Sequence, residues 1–433
     1  LATGGNVLRR WTAVLALALG VVLASSALPA GAATADSWSG TYGDRGNTRN
    51  NPGEHVITAA DAGRLRTTWI ATQGTTPYAP PIAGGVAYRV VGIASQEGDR
   101  LAATSPRTGA TLWTVPLPTT HWYATALAAT GHFVVVPYYG WYGDKAGGLL
   151  LVDTTTRRIV WDKPMPASTI SWSDNSRTGL PYTDGTRIYL SGSSNGVNTY
   201  RLGDGKLLWT TPASDDGYTV THSVTGLAVG NGVVYTTGQD GLVARDATSG
   251  RKLWSAAVGG SWPVVAGSRV LVLASGTVEA FAAAGCGHAV CAPVWQRVLA
   301  PEVRYGEIGG ADARTVFVAF TQDLTTSTKG ELVRLSTTTG KIQWSVTSGR
   351  YMQGVVRGGG AVWVYDEYIT GQGVEEDRIL GFSASATGKK PLRTLDLSGT
   401  NYEWYPQNLA IGAGTLFEQS NGSGLVGYRV PGT

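Results

Sequence analysis

The chain has 433 residues, 42% of them hydrophobic and only 15% charged, with 60 glycines, 15 tryptophans and 19 tyrosines. That profile argues against a helical enzyme, which would carry more Leu, Glu and Lys, and suits many short strands joined by glycine turns. A formal net charge of +4, spread over scattered Lys and Arg, leaves no electrostatic case for nucleic acid as a partner.

At the N-terminus, Arg9 and Arg10 precede the apolar run AVLALALGVVLA, and small residues follow in LPAGAATADSW. This order predicts a secretory signal peptide over residues 1–35, cleaved after Ala32 or Ala35. The apolar run is too short for a membrane span, and no cysteine follows it to carry a lipid. A secreted, soluble and monomeric product is expected. The arginine pair leaves twin-arginine and general export both open.

Residues 36–433 read as one domain built from a repeat. AADAGRLRTTW ends at Trp69, LAATSPRTGATLW at Trp113, LLVDTTTRRIVW at Trp161 and VNTYRLGDGKLLW at Trp209. LVARDATSGRKLW ends at Trp254, the cysteine segment GCGHAVCAPVW at Trp295 and LVRLSTTTGKIQW at Trp344. Successive tryptophans are 41 to 49 residues apart, and a degenerate unit, GFSASATGKKPL, has Gly388 in place but Leu392 at the tryptophan position. Each unit reads as two strands around an Asn-Gly or Gly-Gly turn, a third strand, a polar turn and a fourth strand near the tryptophan. Four antiparallel strands per 40 to 50 residues predict an all-β propeller, in which the indoles fill the wedges between blades. Strands near NLAIGAGTLFEQ and GLVGYRV lack a fourth partner, whereas LRTTW is a fourth strand with no preceding three. Pairing them gives eight blades, the last closed by the N-terminal strand, with seven as the fallback.

Cys286 and Cys291 are the only cysteines. Ala244 lies 10 residues before Trp254, but Ala280 lies 15 before Trp295, so the cysteines occupy a lengthened turn before a fourth strand. A redox pair is more often spaced C-x-x-C, and zinc would need ligands beyond His288. A structural disulfide is predicted.

The unit A-x-D-x-x-x-G-x-x-x-W is intact at Ala244, Asp246, Gly250 and Trp254. It is partial at Asp153 and Trp161, Gly205 and Trp209, Gly109 and Trp113, and Gly340 and Trp344. It resembles the tryptophan-docking repeat of the pyrroloquinoline-quinone (PQQ) repeat propellers, which include quinoprotein alcohol dehydrogenases and the outer-membrane assembly factor BamB. For an enzyme, that resemblance implies a disulfide of adjacent cysteines over the quinone, Glu and Asn ligands for calcium, an Asp base and a Trp beneath the quinone. Here there is no Cys-Cys pair and no local acidic loop of the EF-hand kind, and the chain is shorter than such dehydrogenases. For an assembly factor it implies a lipidated cysteine at the cleavage site, which is missing.

The histidines, His55, His121, His132, His222 and His288, form no metal-binding or nucleophile motif, and a structural role is expected for them. YDEYITGQGVEEDRIL carries Asp366, Glu367, Glu375, Glu376 and Asp377, and reads as a solvated loop between two strands. The segments entering each blade are rich in aromatics: Tyr78, His121, Trp122, Tyr123, Trp172, Tyr218, His222, Trp262, Tyr305, Tyr351, Trp404 and Tyr405. In a propeller these linkers visit one end of the molecule, with Asp174, Arg304, Glu307, Gln353 and Gln407 nearby. The aromatics either plug the channel and pack between blades, or form a rim for a protein, a small molecule or a glycan.

The sequence therefore points to a binding or scaffold module without catalysis, needing no metal or cofactor. The alternatives are a PQQ- and calcium-dependent oxidoreductase and a glycan-binding propeller.

Overall fold

The unit over residues 226–256 shows why each repeat folds as it does. Its strands, Gly226–Gly230, Val233–Gly238, Gly241–Asp246 and Lys252–Ala256, pair antiparallel in chain order. Asn231 and Gly232 make the first turn with φ of 55° and 75°, the left-handed pair that a two-residue hairpin requires. In the polar turn before the fourth strand, Asp246 Oδ1 accepts from the amides of Thr248 and Ser249, while Gly250 takes φ 72°.

The computed structural model describes residues 38–433 except 73–77, 93–97, 119–122, 125, 140–146, 166–179, 192–196, 212–225, 239–240, 261, 302, 304, 325–326, 371–372, 386–389, 398–407 and 421–423. It contains eight sheets in a ring, an eight-bladed β-propeller, and the seven-bladed fallback falls away. Blades 1 to 7 span residues 82–116, 123–165, 181–210, 226–256, 264–298, 305–348 and 351–396. Blade 8 combines residues 408–429 with Arg66–Ala71, which pairs antiparallel with Gly424–Arg429 and so closes the ring as expected. Among the described residues the one helix is the 3-10 turn Ala62–Arg64, and none is long and apolar enough to cross a membrane.

The repeat tryptophans join neighbouring blades. Trp69 donates its indole N–H to the Pro106 carbonyl (2.9 Å), Trp161 to Leu202 (2.9 Å), Trp209 to Ala247 (3.2 Å) and Trp295 to Thr337 (3.0 Å). Each ring lies on the turn glycine of the next blade, where a Cβ would come within 2.5 Å of Trp69 at Gly109 and within 2.6 Å of Trp209 at Gly250. Blade 2 has no such glycine. Arg157 takes the left-handed position instead (φ 57°), with its guanidinium 5.8 Å from the Trp113 ring centre. In blade 7 the expected Gly388 lies outside the described residues.

The cysteines form the predicted disulfide, in the turn between Thr277–Ala282 and Trp295–Val298. The acidic segment differs from expectation. It is not a solvated loop but the paired strands Ala361–Thr370 and Gly373–Ser383, which bury Asp366, Glu367 and Asp377. Ten or more residues of ladder continue through the polar stretch, and burial on both faces overrides its polarity.

Candidate functional site

The inner strand of each blade starts at the linker and ends at the first hairpin turn, so the axis has a linker end and a hairpin end. Residues 38–54 circle the axis at the hairpin end. Trp38 exchanges backbone hydrogen bonds with Ile82 of blade 1, and Ser39 accepts from Ala129 of blade 2. Gly40 passes the Pro181 carbonyl of blade 3. Arg45 then accepts from Val229 of blade 4, Gly46 from Val265 of blade 5, Thr48 from Ala311 of blade 6 and Arg49 from Arg357 of blade 7. Asn51 Nδ2 completes the circuit on Ile411 of blade 8, at 2.9 Å. Ile82, Ala129, Val229, Val265, Arg357 and Ile411 each stand two residues before a left-handed turn residue, so one path meets equivalent strand positions around the ring.

Sequence reasoning missed this ring, although SGTYGDRGNTRNN shows the signal of a segment with neither strand period nor helical face. Its curvature needs left-handed backbone at Gly43 (φ 91°), Asn47 (φ 58°) and Arg49 (φ 48°). Glycine and asparagine adopt this readily, whereas arginine does so against a steric cost. Partners hold Arg49 there: Nη1 lies 2.5 Å from Glu307 Oε2, and the guanidinium is 4.3 Å from the Tyr42 ring centre.

At the linker end the predicted aromatics divide. Tyr78 and Trp262 are half-buried and pack against a core that includes Tyr42, Tyr182 and Tyr189. Trp262 meets Tyr42 edge-on, with ring centres 5.1 Å apart. These two plug the interior. Tyr305 is instead 45% exposed, and its ring centre lies 6.2 Å from that of the buried Tyr351. Tyr123 lies in the short strand Tyr123–Ala124, while His121, Trp122, Trp172, Tyr218, His222, Trp404 and Tyr405 lie outside the described residues.

Among the described residues, blades 6 and 7 have the longest middle strands, Thr315–Leu324 with Ser327–Ser336 and Ala361–Thr370 with Gly373–Ser383. Tyr351 pairs with Glu367, so the blade 7 hairpin continues beyond Tyr351 at the linker end. Beside the two tyrosines in the ladder lies a group of carboxyls. Glu307 Oε2 accepts from Arg49 and from the Gly354 amide (3.0 Å), and Asp366 Oδ2 accepts from Arg378 Nε (2.5 Å). Glu367 Oε2 accepts from Gln353 Nε2 (2.7 Å). Burial, reinforced by the Asp377 carboxylate across the ladder, holds Glu367 well above the usual carboxyl range and favours its neutral form. Glu307 and Asp366 are therefore ion-paired and Glu367 is held toward its neutral form, while Asp366 Oδ1 and Glu367 Oε1 accept no hydrogen bond.

Among the described residues no three His, Cys, Asp or Glu side chains converge as metal ligands. The disulfide sits at the outer edge of blade 5, far out along the sheet from the inner strand, and it links non-adjacent cysteines.

A family model described as the outer membrane protein assembly factor BamB matches residues 53–285. Among solved structures, the quinohemoprotein alcohol dehydrogenase ADHIIG from Pseudomonas putida HK5 aligns with TM-score 0.59 and 12% identity, over 92% of this chain and 81% of that one. A europium-containing methanol dehydrogenase aligns with TM-score 0.58 and 12% identity, over 91% of this chain and 90% of that one. The computationally designed Ika8 protein aligns with TM-score 0.56 and 12% identity, over 84% and 98%. At such identities the likeness is one of fold. No curated protein sequence matches. With its docked tryptophans, eight closed blades and a family match over more than half its length, the chain belongs to the BamB-like family of PQQ-repeat β-propellers.

Proposed function

We propose that the protein is a secreted binding or scaffold module, without catalysis of its own, that engages a protein or small ligand at the linker end of blades 6 and 7. One observation carries this reading: Tyr305 is half-exposed beside Tyr351, next to carboxyls that are ion-paired or held toward the neutral form. An amphipathic ring offers contact area at low entropic cost, which suits a protein anchor or the face of a sugar. Carboxyls engaged in this way are poorly placed to act as a free base or as cation ligands. Removal of residues 1–35 would leave a chain beginning just before the ring.

The deciding experiment adds PQQ and calcium to the purified protein and follows cofactor absorbance and dye-linked alcohol oxidation. No turnover is expected, and stoichiometric quinone binding with turnover would overturn the reading in favour of an oxidoreductase. A glycan array probed with wild type and Tyr305→Ala then separates ligand classes. Signals lost in the variant identify a sugar ligand, and a blank array directs the search to protein partners.

A further inference from the structure

The turn that carries the disulfide departs from a docking geometry that four other blades share. In four docking turns the glycine amide donates to the carbonyl four residues back: Gly109 to Ser105, Gly205 to Arg201, Gly250 to Asp246 and Gly340 to Ser336. The carbonyl three residues back then accepts the preceding blade's indole. Gly285 instead donates to Ala282, three residues back, and the Tyr235 hydroxyl takes the Ala283 carbonyl. The buried indole N–H of Trp254 is left without an acceptor.

The five extra residues form a strap that crosses to blade 4. Ser255 donates its amide to the Ala289 carbonyl (2.9 Å), and the Cys291 amide donates to the Ser255 carbonyl (2.8 Å), a short parallel pairing along the blade 4 outer edge. The residue before the docking tryptophan is 53% exposed at Leu112 and 52% at Val294, whereas Leu253, beside the strap, packs against the core. The strap starts at Cys286, which is exposed, and ends at Cys291, which is buried.

We propose that Cys286–Cys291 is a reducible latch, holding residues 289–291 over the edge of blade 4 until a dithiol reductant opens it. The reductant's thiolate attacks the exposed Cys286 sulfur, the S–S bond breaks, and Cys291 leaves as a thiolate that takes up a proton. The reductant's second thiol then displaces Cys286, which is protonated in turn. Two electrons and two protons pass to the protein, and the reductant becomes a disulfide. Without the cross-link the strap's ends are no longer held within one short loop, and its pairing with Ser255 competes with solvent. Opening frees the Ser255 amide and carbonyl on the outer edge of blade 4, where an extended segment can pair.

Hydrogen exchange on the full chain tests this, comparing oxidised protein, protein reduced with dithiothreitol, and Cys286→Ser/Cys291→Ser. Alkylation and intact mass establish that two thiols appear on reduction. The amides of Ser255 and Cys291 are expected to exchange about tenfold or more faster in the reduced and double-serine forms, with the inner strands of all blades unchanged. Reductant should have no further effect on the double-serine form. Unchanged exchange at Ser255 and Cys291 overturns the latch. So does loss of protection across all blades, which would make the disulfide a global staple instead.

Discussion

Arg49 Nη1 and Glu307 Oε2, 2.5 Å apart, join the axial ring to the inner strand of blade 6. The two residues are 258 positions apart in the chain, and the same carboxylate oxygen also accepts the Gly354 amide of blade 7. One carboxylate thus ties together the ring and two blades, beside the tyrosine pair of the candidate site.

Truncating one partner of this pair should be expensive, because the other is left charged in a mostly buried place. Arg49→Ala is expected to lower unfolding free energy by about 3 kcal/mol, measured by denaturant titration. Glu307→Gln keeps an acceptor for Gly354 and should cost less. Equal, negligible costs for both would show that the ring is held by its backbone bonds alone.

The turn glycines offer a matched comparison. Gly250 and Gly232 have nearly the same φ, 72° and 75°, but a Cβ would meet Trp209 at 2.6 Å at Gly250 and nothing within 4 Å at Gly232. Gly232→Ala should cost about 1 kcal/mol through left-handed strain alone. Gly250→Ala adds displacement of the indole and should cost about 3 kcal/mol. Thermal unfolding of both variants checks the ordering.

Removing an indole should depend on whether its N–H is paired. Trp209 donates to Ala247, whereas Trp254 has no acceptor. Trp254→Phe should therefore be milder than Trp209→Phe by about 1 kcal/mol, the net worth of one hydrogen bond. Chemical denaturation of the two variants side by side provides the measurement.

Asp99 supplies a pH signature. Burial raises its pKa from 3.8 to about 6, so between those values the folded protein holds a proton that the unfolded chain has released. Stability is then lost as pH rises through that window, and above it the ionised carboxylate remains buried at a constant cost. Asp99→Asn should melt higher than wild type at pH 7.5, with the difference fading by pH 4. A difference that grows on acidification would contradict this assignment.

The blade count, the docking tryptophans and the disulfide were legible because their signals are local. A turn glycine lies four residues before its own blade's tryptophan, the cysteines are five apart, and most strands pair with a neighbour in sequence. That Tyr305 stands at the start of a blade was also legible, since it opens the inner strand of blade 6. Whether Tyr305 or Trp262 reached solvent was not, because that depends on Tyr42 filling the space beside Trp262.

By itself, then, the sequence determined the repeat unit and the oversized cysteine turn, through short-range periodicity and turn chemistry, and the closure of blade 8 by Arg66–Ala71, through the incomplete units at its two ends. Only the tertiary structure decided the axial ring, whose partners come from up to eight blades and lie as far as 360 residues away. It alone placed Asp366, Glu367 and Asp377 inside a ladder rather than in a loop, and laid the strap across blade 4. The physical reason is the same in each case. Backbone and carboxyl groups must find partners when buried, and around a closed ring those partners come from chain segments that no local pattern connects.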